Sequence, residues 1–193
     1  PPEGSPPLLQ APDRYETGRA PHFVATGDFD HDGVIDLVVA ECHSGSVSVL
    51  LGTGGGRFAP RQPIQVHAGP TCVDVGRLDG DPYDDIVVTC YQDDVVDILW
   101  GRGDGSFSLQ TISLAPGAAP HAVVIDDFDR DSHGDLAVAN GGTDEVVLFL
   151  GDGAGGFSAP RHDAVGGQPY SLVSADLNGD GAPDLVTGNN RSG

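Results

Sequence analysis

Four segments of the chain concentrate carboxylates at a spacing suited to holding a cation. The first reads Asp28-Phe29-Asp30-His31-Asp32-Gly33-Val34-Ile35-Asp36, with acids at positions 1, 3, 5 and 9. A Gly at position 6 lets the backbone turn sharply, so the carboxylates converge and position 7 offers its carbonyl. Donors that are all oxygen, and mostly charged, suit a hard ion, Ca²⁺ before Mg²⁺. Without an ion, four carboxylates crowded into nine residues repel one another. The predicted ligands are therefore Asp28, Asp30, Asp32 and Asp36, with the carbonyl of Val34.

Two other segments repeat the set. Asp127, Asp129, Asp131 and Asp135 stand at the same positions, with His133 giving the carbonyl, Ser132 at position 6 and Gly134 two later. Asp176, Asn178, Asp180 and Asp184 follow, with Gly181 at position 6 and the carbonyl of Ala182. The remaining segment departs from the pattern: Arg77 takes position 1 and Pro82 position 6, leaving Asp79, Asp81 and Asp85. An Arg there is expected to place its own cation among the carboxylates as a substitute for a metal. An EF-hand is excluded, because it needs Glu at position 12 and flanking helices. Position 12 is Val39, Val138 or Thr187, and the flanks read as strands.

The elements that position these loops recur with them. The loops start at Asp28, Arg77, Asp127 and Asp176, so the repeat is 49, 50 and 49 residues long. A Gly-rich block recurs between them, GTGGGRFAP at 52–60, GRGDGSFSL at 101–109 and GDGAGGFSAP at 151–160, and a Pro precedes each unit at Pro21, Pro70, Pro120 and Pro169. In the first unit strands are expected at Phe23 to Gly27, Leu37 to Ala40, Val47 to Leu51 and Pro63 to Val66. The second of these is an unbroken aliphatic run, the pattern of a strand buried on both faces. The third unit gives the same at Leu136 to Ala139 and Val146 to Leu150. Four short strands per unit of this length describe a propeller blade. The fold class is all-β, a β-propeller of four-stranded antiparallel blades with repeats starting near residues 22, 71, 121 and 170.

Residues 1–8 read as an extended linker and 9–193 as the propeller segment. By register with the repeat, the N-terminal part supplies an outer strand around Tyr15, and the C-terminal part stops after an inner pair of strands. Such open edges point to a longer propeller or to docking between copies. Cys72 and Cys90 are placed to face each other across the first two strands of one blade, close enough to bridge, with Cys42 left free. Asn190-Arg191-Ser192 is a glycosylation sequon, meaningful in a eukaryotic secretory context.

Of 193 residues, 29 are acidic and 9 basic, all of the latter Arg, for a net charge of −20. A surface this acidic repels phosphate backbones and anionic lipid, so neither nucleic acid nor a membrane surface is an expected partner. No apolar run is long enough to span a bilayer as a helix.

The residues also carry a resemblance. GDFDHDGVIDLVVA followed by VSVLLGTGGGRFAP is similar to the FG-GAP/VCBS repeat, the calcium-loop blade of integrin α-subunit heads and many bacterial secreted proteins, over essentially residues 9–193. The resemblance implies a structural Ca²⁺ between the first and second strands of a blade, held by Asp28, Asp30, Asp32, Asp36 and their equivalents. It implies a secreted or cell-surface location and does not identify a ligand.

Strand direction puts all acidic loops on one side of the ring. The other side carries His22, Thr71, His121 and Tyr170 at the start of each first strand, and the variable turns that contain His43, Tyr91, Asp93 and Asn140. These are the ligand-face candidates, suitable for sugar hydroxyls or a peptide. No nucleophile triad, paired catalytic carboxylates or phosphate-cradling loop emerges, so the expectation is not an enzyme. The expected function is recognition or adhesion toward a carbohydrate or protein. A self-assembling structural protein and the non-catalytic portion of a larger secreted enzyme are the alternatives.

Overall fold

The computed structural model describes residues 13–191. Among the described residues every regular element is a strand, and sixteen follow in chain order. The first blade holds β1 (Pro21–Gly27), β2 (Asp36–Glu41), β3 (Ser46–Leu50), the small hairpin β4 (Gly52–Gly54) and β5 (Arg57–Phe58), and β6 (Gln62–Gln65). The second holds β7 (Pro70–Gly76), β8 (Asp85–Cys90), β9 (Val95–Gly101) and β10 (Phe107–Ser113). The third holds β11 (Pro120–Asp126), β12 (Asp135–Asn140), β13 (Glu145–Phe149) and β14 (Arg161–Ala164), and β15 (Pro169–Ala175) and β16 (Asp184–Asn189) form an inner pair. The sheets run β1-β2-β3-β6, β7-β8-β9-β10, β11-β12-β13-β14 and β15-β16, each neighbour antiparallel.

The blades stack through their inner strands, β1 on β7, β7 on β11 and β11 on β15. Two apolar clusters fill the gaps. Phe29, Val38, Val47, Val49, Val73, Ile86, Val88 and Leu99 pack between the first and second blades. Leu78, Val87, Ile98, Val123, Leu136, Val138 and Phe149 belong to the cluster of the second and third blades. The second strand of each complete blade is buried on both faces, as its unbroken aliphatic run predicts. Repeat-equivalent residues lose that cover at the two ends of the stack: Val24 is 56% exposed against 1% for Val73, and Leu177 65% against 1% for Leu78.

Each inner strand opens on a bulge. Ala20, Gly69, Ala119 and Gln168, just before the prolines, lie at φ of 54°, 72°, 45° and 55°. Their carbonyls accept the amides of Cys42, Tyr91, Gly141 and Asn190 at 2.8–3.1 Å. The ladder then pairs Pro21 with Glu41 and Phe23 with Ala40, passing over His22, and does the same at Thr71, His121 and Tyr170. A bulge re-aims the side chain it displaces.

Two sequence expectations are corrected here. The bulge at Thr71 pairs Cys72 with Thr89 and Pro70 with Cys90, and all three cysteines are free. A one-residue slip sends a side chain to the other face, and Cys72 and Cys90 accordingly belong to different core clusters. Around Tyr15 there is no strand; its ring meets Phe58 edge-on with centroids 5.3 Å apart. The expected linker 1–8, residues 9–12 and Ser192 of the sequon lie outside the described residues.

Candidate metal centre

Each acidic loop connects the first strand of a blade to the second, and its own amides shape it. In the first loop the position 1 carboxylate of Asp28 accepts the N–H groups of Asp32 (3.1 Å) and Gly33 (3.0 Å). Asp30 accepts from Asp32 at 3.3 Å, and Asp32 accepts from Val34 at 2.7 Å. The third loop repeats these bonds through Asp127, Asp129 and Asp131, and the fourth through Asp176, Asn178 and Asp180. Position 6 takes a left-handed conformation in all three, at φ 81° for Gly33, 72° for Ser132 and 82° for Gly181. Ser132 therefore makes the turn itself. Gly134 has a packing role instead, since a Cβ there would meet Leu78 Cδ2 at 2.8 Å and the Arg77 carbonyl at 3.0 Å.

Position 9 has a role of its own. Asp36 is fully buried; one oxygen accepts Phe29 N–H at 2.7 Å and the other Gly52 N–H at 2.6 Å. Asp135 binds Phe128 and Gly151 in the same way at 2.8 Å each, and Asp85 binds Leu78 and Gly101 at 2.9 Å each. The buried carboxylate thus ties the acidic loop to the Gly-rich turn. In the fourth loop Asp184 keeps the first of these bonds, to Leu177 at 3.0 Å.

Oxygens of Asp28, Asp30 and Asp36 lie within 4.8 Å of one another, and so do those of Asp127, Asp129 and Asp135. These two sets could hold a metal. Their donors are anionic oxygens alone, the chemistry of a hard divalent cation. Asp32 and Asp131 stand outside the two triplets, with their carboxylates turned to the amides of Val34 and His133. Crowding has an electrostatic cost: burial first, then Asp36 and Asp32, holds the Asp30 carboxyl above its ordinary range. Burial does the same to Asp135, with Asp129 adding to it.

The second loop is built differently. Arg77 pairs with Asp84 at 3.4 Å, and among the described residues no ion pair joins it to Asp79, Asp81 or Asp85, where a substitute for a metal was expected. The two departures from the motif compensate each other. Position 1 has lost the carboxylate that accepts from position 6, and Pro82 at position 6 has no N–H to donate. Burial, with Asp79 and Asp81 adding, pushes Asp85 up to about 6.

At the opposite end of the inner strands the four bulge residues His22, Thr71, His121 and Tyr170 line a cavity of about 380 Å³, with Val73, Val123 and Leu172 on its apolar wall. Tyr91 stacks on His121 with centroids 5.8 Å apart and planes at 19°, and His121 meets Tyr170 at 4.7 Å. Burial lowers the His121 pKa, which favours the neutral ring. Asp74, on the same wall, spends its oxygens on the amides of Val75 and Ile125 at 2.9 and 2.8 Å. The other ligand-face candidates do not join this group. His43 lines a separate surface depression with Arg19 and Gln92. The Asp93 carboxylate accepts Ala68 N–H at 2.8 Å. Asn140 is 1% exposed, with its Nδ2 on Glu145 and its Oδ1 without a partner among the described residues.

Sequence reasoning missed a further layer of buried acids. Glu41 and Asp97 are both fully buried. Glu41 accepts from Gly18 N–H and the Ser46 and Ser48 hydroxyls, and Asp97 from His67 N–H at 2.8 Å and Thr111 at 2.7 Å. They fix the peptides that lead into the first and second blades. The signal in the sequence was an acid inside the apolar run of β9, at Asp97, and one closing that of β2, at Glu41.

Residues 28–88, 77–138 and 127–187 each match the FG-GAP-like repeat. The chain belongs to the FG-GAP-like repeat family. Each matched stretch of the FG-GAP-like chain begins at position 1 of one loop and ends in the second strand of the next blade. A lectin of Agrocybe aegerita, solved for its specific recognition of non-reducing terminal N-acetylglucosamine, is similar in fold at 21% identity and a TM-score of 0.57, over 84% of this chain and 45% of the lectin. A protein from Lactobacillus plantarum is similar at 15% identity and a TM-score of 0.59, over 86% of this chain and 51% of that one. The FG-GAP-like chain spans about half the length of either structure. At these identities the likeness carries the fold alone. No curated protein matches the chain.

Proposed function

We propose that the chain is a calcium-braced recognition module working outside the cell or at its surface, with no chemistry of its own. The observation that carries this reading is the aromatic ladder Tyr91–His121–Tyr170 beside an apolar cavity, at the end of the blades opposite the acidic loops. Stacked rings with a neutral imidazole offer flat apolar faces and a few hydrogen-bonding edges, which suits the alternating C–H and O–H surface of a sugar. A lectin of similar fold supports a glycan as ligand ahead of a protein.

The residues of the first and third loops fit Ca²⁺. Asp28, Asp30 and Asp36 would hold one ion and Asp127, Asp129 and Asp135 another. The ion supplies positive charge that cancels carboxylate repulsion, and the loop amides already hold the ligands in place.

A glycan array probed with the Ca²⁺-loaded protein tests the ligand class, followed by Tyr170→Ala and Tyr91→Ala on any sugar that binds. Retained binding in both variants would move the site away from the ladder. A blank array would remove the glycan reading.

A further inference from the structure

The acidic loops are linked to one another through position 4. That residue is left-handed in all four, at φ 58° for His31, 78° for Gly80, 65° for Arg130 and 80° for Gly179. Where it carries a long side chain, the side chain reaches the next loop. His31 meets Tyr83 of the second loop edge-on at 5.4 Å. Arg130 of the third loop makes a stronger contact: its Nη2 donates to the Asp180 carbonyl at 3.0 Å and to Asp180 Oδ1 at 2.9 Å.

Asp180 is position 5 of the fourth loop, whose other carboxylates are Asp176 and Asp184. This loop is set apart from the first and third in two independent ways. Asn178 replaces the acid found at Asp30 and Asp129, so the loop carries three carboxylates at positions 1, 3, 5 and 9 where the others carry four. One of those three is also shared with a guanidinium. The equivalent carboxylates of Asp32 and Asp131 accept the position 7 amide as Asp180 does, yet no Arg pairs with them among the described residues.

We infer that Arg130 is a tethered counter-cation that sets the calcium affinity of the fourth loop, an inference resting on the reading of these loops as calcium sites. A divalent ion entering that loop meets a fixed positive charge held beside it on Asp180, or must displace it, and either weakens binding. Arg130 also lies between Asp129 and Asp131 of the third loop. The protein fills its first and third loops first and its fourth only at higher calcium.

Calorimetric titration of the full 193-residue chain with CaCl₂ tests this. Arg130→Gln is expected to tighten the weakest site about three- to tenfold, as befits a half-exposed charge facing a divalent ion. The stronger sites should stay within about twofold, and the gain should shrink in high salt. Asp176→Asn, which silences the fourth loop, should remove the weakest site, and adding Arg130→Gln to it should change nothing further. An unchanged isotherm for Arg130→Gln, or a tightening that persists in the Asp176→Asn background, overturns the inference and leaves the calcium reading standing. Absence of calcium uptake by the unmutated chain overturns the calcium reading and this inference with it.

Discussion

Asp84 of the second blade accepts the backbone amide of Asp28, the first residue of the first acidic loop, at 2.9 Å. Its other oxygen receives Arg77 Nε at 3.4 Å. The loop that lost its own position 1 acid thus braces the loop before it. Equivalent positions hold Ile35, Gly134 and Pro183, so this tie is unique to the second blade.

Asp84→Ala should therefore weaken calcium at the first loop, although Asp84 is no ligand of that site. It should also destabilise the fold by about 1 kcal/mol, the usual net value of one such bond. Asp84→Asn keeps an acceptor and should fall between. Calorimetry and thermal melts check both, and an unchanged first site in Asp84→Ala would show that the bond positions nothing.

The Gly-rich turns make a second test. A Cβ at Gly52 would meet the Ile35 carbonyl and lie 2.7 Å from Val34 Cγ1, and the Gly101 and Gly151 turns are closed off by the Asp84 and Gly134 carbonyls. Gly52→Ala must push the turn away and break the 2.6 Å bond from Gly52 to the buried Asp36. Overpacking plus an unsatisfied buried carboxylate costs about 2–4 kcal/mol. The melting temperature should fall by about 4–16 °C for a chain of this size. Gly54→Ala has open space around its Cβ but a φ of 80°, so its smaller loss would separate strain from crowding.

Much of this was legible in the sequence because it repeats. The aliphatic runs at Leu37 to Ala40 and Leu136 to Ala139 mark strands with two buried faces, and the acid spacing marks the loops. What escaped is backbone geometry carried by no residue type. The bulges at His22, Thr71, His121 and Tyr170 depend on left-handed residues before the prolines, of which only Gly69 is a glycine. Without them the Cys72 and Cys90 register is off by one. Asn140 and Asp93 read as free polar turn residues, yet the turns themselves use them. Arg77 looked like a substitute ion because the sequence cannot show that it pairs with Asp84.

The thiols give a third prediction. Cys72 and Cys90 are buried in different clusters, and burial pushes the Cys72 thiol up to about 11 and raises that of Cys90 as well. Thiolate is the reactive form, so both should resist a thiol reagent in the native state and react only on unfolding. Mass measurement after mild oxidation should show all three thiols intact within the chain. An intramolecular bridge between Cys72 and Cys90 would contradict the register.

Calcium stabilisation should depend on pH with a definite sign. Burial and neighbouring acids raise Asp30 and Asp135 above the ordinary 3.8 and take Asp85 to about 6. A carboxyl raised in the fold binds its proton more readily folded than unfolded. Without metal, its contribution to stability is therefore present at low pH and lost as pH rises through the window, which for Asp85 runs from 3.8 to about 6. An ion needs the same groups ionised in the first and third loops, so protons and calcium compete there. Each filled site adds about 2.7 kcal/mol at a hundred times its dissociation constant, and this gain should fade with acid. The difference in melting temperature between calcium and chelator should be greatest near about pH 7 and shrink toward about pH 4, as these carboxyls take up protons. The metal-free melt should meanwhile soften less on acidification in the parent than in Asp85→Asn, which lacks the raised group. A calcium increment that stays level across that range would remove the buried carboxylates from the ligand set.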